Sequence, residues 1–442
     1  MDVWDIIITP AFFFFIMAIA FIYVRRNRKN ELIRKYFLPA LVLRLVGGIL
    51  FGLVYQFYYK GGDTFTFWSE VKILNSILFS NPLAFIRMFF EDLGSTNLDM
   101  LQYSNLLWIY NDKSSFFVVK TASFLSLFAF NTYSSTSLLF AILSFSGSWK
   151  LFVTLREQYP HITSQLAFAT LFIPSIVFWG SGIMKDTLCL IALCYLYSSF
   201  YELIAQKRNF KKNILIIYLS GYVLYKVKLY ILISFFPALI IWLFLKYNNE
   251  IRSKAIRNFS RPMIILIALI AGLVGSSLLS ATNDSYNFEN IEMTSKMTAS
   301  YIKYQSLQTG GSVYDLGDVK YTLVGLLKIF PAGVNVTLFR PYIWEVKNIV
   351  MIFSSLEAMF FLGITIITIF KNGPVGLIKK INEDPFVLSA LIFSLIFAFA
   401  VGISTNNFGS LVRYKIPVLP FYMSCIYIMR YNPKKDKNGI DL

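Results

Sequence analysis

Two acids in this chain stand where the backbone can present them to a substrate. Asp63 closes the run Tyr58-Tyr59-Lys60-Gly61-Gly62-Asp63-Thr64. Two consecutive glycines permit a sharp turn. A carboxylate held there among aromatics, with its pKa raised by poor solvation, can act as general base on an acceptor hydroxyl. The same residues also suit a helix-exit turn with a solvated acid. The second acid ends Phe178-Trp179-Gly180-Ser181-Gly182-Ile183-Met184-Lys185-Asp186. There Lys185 and Asp186 form a local ion pair, cap the next helix, or line a polar pocket at the depth of Asp63.

Three groups of cations complete the inventory. In Leu338-Phe339-Arg340-Pro341-Tyr342-Ile343-Trp344-Glu345, Arg340 has the fork geometry for a phosphate, and Tyr342 and Trp344 suit sugar stacking or an aromatic belt. Glu345 closes that candidate site. Arg413-Tyr414-Lys415-Ile416-Pro417-Val418-Leu419-Pro420 opens the last apolar run with two cations, and Lys226 and Lys228 lie at a similar level. Such charges call for an anion, either a phosphate or pyrophosphate or a protein carboxylate. Arg44 and Glu357 fall inside apolar runs, where ionisable groups are costly and face the interior; they pair with each other or with backbone, and neither is assigned a role.

The elements that must position these residues are membrane helices. Of 442 residues, 56% are hydrophobic and 15% charged, with mean hydropathy +0.60, well below the charged fraction of about a quarter found in soluble domains. Apolar runs predict spans at roughly 5–24, 37–58, 137–155, 164–182, 187–205, 213–227, 229–245, 262–282, 347–370, 386–404 and 414–430, each near the length that crosses a hydrocarbon core of about 30 Å. The first run has Asp2 and Asp5 before it and no basic n-region or small-residue cleavage site, so it reads as a retained helix and not as a signal peptide. Cys189, Cys194 and Cys425 all fall in predicted helices, and His161 is the single histidine. Neither a disulfide framework nor a histidine-rich metal site is available.

The formal charge of +17 is a matter of topology. Short connections at 25–35, 156–163, 206–212, 246–261 and 371–385, with Arg430 and the tail 431–442, hold 23 of the 41 Lys+Arg. The long segments 59–136 and 283–346 hold ten basic residues and twelve acids. The positive-inside rule puts the short connections and the C-terminus in the cytoplasm, and the long segments and the N-terminus outside. No nucleic-acid partner is implied. Phe116–Phe130, with Lys120 inside it, is too short to span and is expected to lie along the outer surface as an amphipathic segment. The stretches 65–79, 82–90 and 321–330 look alike: they pack at the interface, or form a floor for a lipid-linked substrate. The expected fold is thus an all-α polytopic transmembrane bundle of about eleven spans. It reads as one membrane domain over 1–442, without internal repeats, whose two outer loops, 59–136 and 283–346, fold back over it.

On these motifs the chain resembles the GT-C superfamily of polytopic glycosyltransferases, which use polyprenyl-phosphate-linked sugars. Gly61-Gly62-Asp63-Thr64 looks like the acidic position early in that family's first large outer loop, and 65–130 resembles its juxtamembrane helices. Lys185-Asp186 stands where a second acidic site often lies. Gly221-Tyr222-Val223-Leu224-Tyr225-Lys226-Val227-Lys228 is similar to the family's glycine-rich helix ending in a lysine turn, and Arg413 to Pro420 to its late Arg-Tyr…Pro…Pro helix start. The chain departs from the pattern in its extra helix at 5–24, in lacking a large C-terminal soluble domain, and in a single first-loop acid instead of a pair. The Gly-Gly-Asp-Thr turn is also similar to that of membrane polysaccharide polymerases.

The resemblance implies sugar transfer from a polyprenyl-phosphate donor to a glycan, lipid or protein acceptor, on the outer face of a bacterial inner membrane. Asp63 would deprotonate the acceptor, Asp186 would orient donor or acceptor, and Arg413 with Lys415 or Arg340 would neutralise the leaving phosphate. Lys185, Lys226, Lys228, Glu345 and Tyr414 complete the substrate-binding set. The residues require no cofactor and show no metal ligands; a divalent metal is compatible with the family but not indicated. The alternatives are a polysaccharide polymerase, a lipid or solute transporter, and a non-enzymatic membrane subunit.

Overall fold

The computed structural model describes residues 1–90, 102–248, 296–297, 300–304, 312–317 and 323–431. Among these there is no strand, only an isolated antiparallel bridge between Val313 and Asn407. Among the described residues seven helices are long and apolar enough to cross a bilayer: Val3–Arg26, Ile33–Tyr58, Tyr133–Gln158, Lys185–Ile204, Phe210–Asn248, Ile349–Glu383 and Pro385–Thr405. Helices satisfy every backbone polar group within the segment, which is what a medium without water demands. The first helix leaves Val3, Ile6, Phe14 and Phe15 exposed, a surface tolerable only against lipid tails. The protein is an all-α polytopic membrane protein.

Four expected spans take a different form. The run 164–182 is divided at Pro174 into Thr163–Ala167, a π turn Phe168–Phe172, and Pro174–Trp179, because proline cannot donate to the preceding turn. The runs 213–227 and 229–245 are the two parts of Phe210–Asn248, interrupted at Lys228 (φ −149°, ψ 81°). The run 414–430 divides around 415–418 into Phe408–Tyr414 and Leu419–Arg430. The run 262–282 lies outside the described residues, as does most of 283–322. Within the segment expected as a second outer loop, Leu323–Phe339 is a 17-residue apolar helix.

The chain separates into two compact units, residues 1–153 with 171–229 and residues 154–170 with 230–442. In the first unit we label the helices α1 (Val3–Arg26), α2 (Leu38–Leu53, with π turns Ile33–Phe37 and Val54–Tyr58 at its ends), α3 (Asp63–Ser80), α4 (Pro82–Phe90), α5 (Lys113–Ser126), α6 (Tyr133–Gln158), α7 (Pro174–Trp179), α8 (Lys185–Ile204) and α9 (Phe210–Asn248, to the break at Lys228). Small residues bring their backbones together: a Cβ on Gly47 would meet the Val177 carbonyl oxygen at 2.2 Å, and one on Gly147 the Ile191 Cα at 3.1 Å. Close approach of this kind is how membrane helices gain packing without a hydrophobic driving force. Arg44, buried in α2, donates to the Ile176 carbonyl (2.7 Å), Ser144 Oγ (3.1 Å) and Ser148 Oγ (3.0 Å). It fastens the broken α7 to α2 and α6, so its partners are backbone and serines.

The second unit holds α10 (Leu323–Phe339), α11 (Ile349–Glu383), α12 (Pro385–Thr405), α13 (Phe408–Tyr414) and α14 (Leu419–Arg430). Here α10 crosses α12 at glycines: a Cβ on Gly402 would meet the Gly333 carbonyl oxygen at 2.3 Å, and Thr337 Oγ1 donates to the Ala398 carbonyl at 2.7 Å. Asp384 caps α12, accepting from the Phe386 and Val387 amides and from the Tyr159 hydroxyl.

Candidate functional site

The turn that carries Asp63 is built as its glycines require. Lys60, Gly61 and Gly62 have φ of +54°, +141° and +117°, and a Cβ on Gly62 would come within 2.8 Å of the Tyr55 ring. The π turn before it and the hydrogen bond from the Gly61 amide to the Tyr55 carbonyl (3.0 Å) fix the approach. Asp63 is the first residue of α3 and is exposed, while Thr64 beside it is buried and bonded to the Tyr133 hydroxyl at 2.9 Å.

Helices α3 and α5 form one layer. Asn75 donates to Ser126 Oγ and Asn131 Oδ1 (both 2.8 Å) and accepts from Ser123 Oγ. Glu70 of α3 accepts from the Ile109 amide at 3.3 Å. Burial raises the Glu70 pKa against the opposing pull of the Ile109 and Trp108 amides. Asp112 caps α5, accepting from the Ser114 and Ser115 amides (3.1 Å each) and from both hydroxyls. Burial pushes its carboxyl up, but the Lys185 charge and the serine hydrogen bonds outweigh this and hold it at about 2.

Between α4, α5 and α9 lies a cleft of about 500 Å³. Its cations are Lys113, Lys120 and Lys226, and its walls include Phe89, Tyr110, Phe116, Phe117 and Tyr222. Lys120 Nζ donates to the Phe89 carbonyl (2.9 Å) and lies 5.0 Å from the Phe116 ring centre; Lys226 Nζ lies 5.8 Å from that of Tyr222. Phe117 and Tyr222 meet edge-to-face at 6.1 Å, joining α5 to α9. Two ammonium groups beside aromatic faces, those of Lys120 and Lys226, with Lys113 in the same lining, can hold an anion whose remainder is apolar or a sugar.

Lys185 and Asp186 do not pair with each other. Lys185 Nζ reaches Ser114 Oγ (2.7 Å) and Asp112 Oδ2 (3.2 Å). Asp186 is buried and accepts from Lys228 Nζ at 2.5 Å, with Lys228 at the break in α9. Of the residues singled out in the sequence, the first unit therefore gathers Lys185, Asp186, Lys226 and Lys228 around the cleft and its supports. Asp63 does not line it, and stands at the head of α3, which packs against the cleft helix α5.

The second unit holds the remaining candidates in other states. Arg340 pairs with Glu345 through Nε (3.0 and 3.1 Å) and Nη2, and Glu345 also accepts from the Tyr342 amide at 2.8 Å. The Glu345 hydrogen bond raises the Arg340 pKa; burial pushes Glu345 up, but Arg340 and the Tyr342 amide hold it below the usual carboxylate range. The guanidinium also sits 5.3 Å from the Phe408 ring centre and 5.9 Å from that of Tyr314. Lys415 is fully buried in the turn between α13 and α14, without a hydrogen-bond partner for Nζ, and Glu357 of α11 is the acid whose charge acts on it. Arg413 is half-buried beside the Tyr414 ring (5.9 Å).

Lys113 and Lys120, which line the cleft, and Asp112 beside it are candidate site residues that the sequence reading did not single out. A signal existed in Asn111-Asp112-Lys113-Ser114-Ser115, an Asp cap followed by two serines at a helix start. Among the described residues no group of three or more His, Cys, Asp or Glu could hold a metal ion. Comparison of the chain with protein-family models, with curated proteins and with solved structures gives no match, so its function is argued from these residues alone.

Proposed function

We propose that the protein is an integral membrane glycosyltransferase that moves a sugar from a polyprenyl-phosphate donor to an acceptor on the non-cytoplasmic face. The observation that carries this reading is the cleft of α4, α5 and α9, where Lys113, Lys120 and Lys226 stand among aromatic rings. A phosphate that is both anionic and lipid-linked matches that lining, and the rings suit either a sugar face or an isoprenoid tail. In the reaction the acceptor oxygen bonds to the anomeric carbon as the bond from that carbon to the phosphate oxygen breaks. The phosphate leaves with the electron pair, and the lysines stabilise the charge it gains. The acceptor proton passes to a base, for which Asp63, held by the Lys60-Gly61-Gly62 turn at the head of α3 and outside the cleft lining, is the candidate that the test addresses. The likeness of that turn to the acidic loop of the GT-C superfamily supports this role.

The test is transfer from radiolabelled polyprenyl-phosphate sugar in membranes carrying wild type or Asp63→Asn. Transfer lost at unchanged expression and unchanged donor binding supports Asp63 as base; equal transfer removes it. Product size separates the runner-up, since a polymerase yields a ladder and not one added sugar. A transporter is the second reading, favoured by the buried Lys415 and Glu357 in the second unit, because intramembrane charges mark transport paths. It predicts movement of a labelled lipid across vesicle membranes without a new glycosidic bond.

A further inference from the structure

We infer that Lys185 and Asp186 form a clamp that sets the separation of the two walls of the lysine cleft, so that both are positioning residues. This rests on the reading of the cleft as the site of a phosphorylated amphiphile.

The two residues are consecutive at the start of α8 and reach in different directions with opposite charge. Lys185 holds Asp112, which lies between the cleft residues Asn111 and Lys113 and caps α5. Its second bond, to Ser114 Oγ, falls on the same first turn of α5. Asp186 holds Lys228, two residues beyond the cleft residue Lys226. Lys228 is the one residue of Phe210–Asn248 with non-helical torsions. At such a point the ion pair of the side chain adds a hold on the end of the segment that carries Lys226. One wall is therefore tied to α8 by a cation and the other by an anion.

The base of the clamp is rigid. A Cβ on Gly182 would lie 2.2 Å from the Phe51 ring, and one on Gly180 would lie 2.5 Å from the Ile176 carbonyl oxygen. Thr187 Oγ1 donates to the Gly182 carbonyl at 2.8 Å, closing the turn onto α8. The two grips differ in exposure: Asp186 and Lys228 are almost wholly buried, whereas Asp112 is about half exposed. Removing one partner of the inner pair leaves an uncompensated buried charge. The outer pair can be removed without that penalty, and is the cleaner place to test the clamp.

The experiment uses the full chain in phosphatidylglycerol-containing nanodiscs and a ten-carbon isoprenyl monophosphate as probe, with affinity and thermal unfolding midpoint both measured. Lys226→Ala tests the cleft itself. Lys185→Ala tests the outer grip, and Lys185→Arg keeps the cation that Asp112 and Ser114 meet. Asp186→Asn, alone and with Lys228→Met, tests the inner grip. The expected result is affinity about tenfold weaker for Lys185→Ala, with a small fall in the midpoint from the lost ion pair that Lys226→Ala does not show, and recovery of affinity in Lys185→Arg. If Lys226→Ala loses binding while Lys185→Ala and the inner double variant bind as wild type, the clamp is overturned and the cleft stands. If Lys226→Ala and Lys120→Ala both bind as wild type, the cleft reading falls and the clamp with it.

Discussion

The two units treat the same residue types in opposite ways. In the first, Lys113, Lys120 and Lys226 border an open cleft, and the nearby acids Asp112 and Asp186 are engaged by other lysines, Lys185 and Lys228. In the second, Arg340 is locked to Glu345 among three aromatic rings, and Lys415 is enclosed with Glu357 acting on it. Whether a cation borders a cleft or is enclosed with an acid separates a candidate binding surface from a structural joint.

That contrast can be broken most sharply by removing charge from each unit. Lys120→Ala with Lys226→Ala should weaken binding of an isoprenyl phosphate by about a hundredfold, since a charge-assisted hydrogen bond contributes roughly 1.5–3 kcal/mol; titration of the purified protein measures it. Arg340→Ala should act on the fold, lowering stability by about 2–3 kcal/mol because Glu345 loses its partner in a largely enclosed setting. Arg340→Lys should recover little of this, since an ammonium cannot reproduce the guanidinium fork; unfolding in detergent reads both.

A smaller effect is expected at the α10–α12 crossing. Gly402→Val should cost about 1–3 kcal/mol by forcing the two backbones apart, measured as a lower unfolding midpoint with cleft affinity unchanged. Smaller still is the pH dependence of the outer clamp. The Asp112 pKa is depressed to about 2 in the folded state, so its contribution is fully present above the unfolded value of about 4 and is lost as pH falls toward 2. Asp112→Asn should remove that acid limb from the stability profile. Glu70 has the opposite sign: its raised pKa means that stability is lost as pH rises through it. Glu70→Gln should therefore stabilise the fold at neutral pH, by under about 1 kcal/mol, and leave it unchanged at low pH.

Much of the helical layout was legible because apolar length is a local property. The runs 5–24, 37–58, 137–155, 187–205, 347–370 and 386–404 each lie within, or nearly within, a helix long enough to span. The glycine turn at Asp63 was legible too, since only glycine passes easily through two successive positive φ values. Other features were legible only in part. The break at Lys228 was legible as the gap between the runs 213–227 and 229–245, but the partner that Lys228 takes lies 42 residues away. The runs 164–182 and 414–430 read as unbroken spans, although Pro174 and Pro417 stand where the helices divide. The helix Leu323–Phe339 was read as outer-loop sequence, with only 321–330 taken as an interfacial segment, because Lys328 interrupts its apolar run.

The sequence by itself determined that this chain lives in a membrane, that it is helical, and that its Gly-Gly-Asp turn presents an acid. Each of these follows from composition or from the torsions of a few neighbouring residues. The tertiary structure decided which charges face a cleft and which are spent on one another. Lys185 and Asp186 are adjacent in the chain, yet bind Asp112 and Lys228 and not each other. The strength of an ion pair depends on burial and on distance in space, and neither is encoded by separation along the chain.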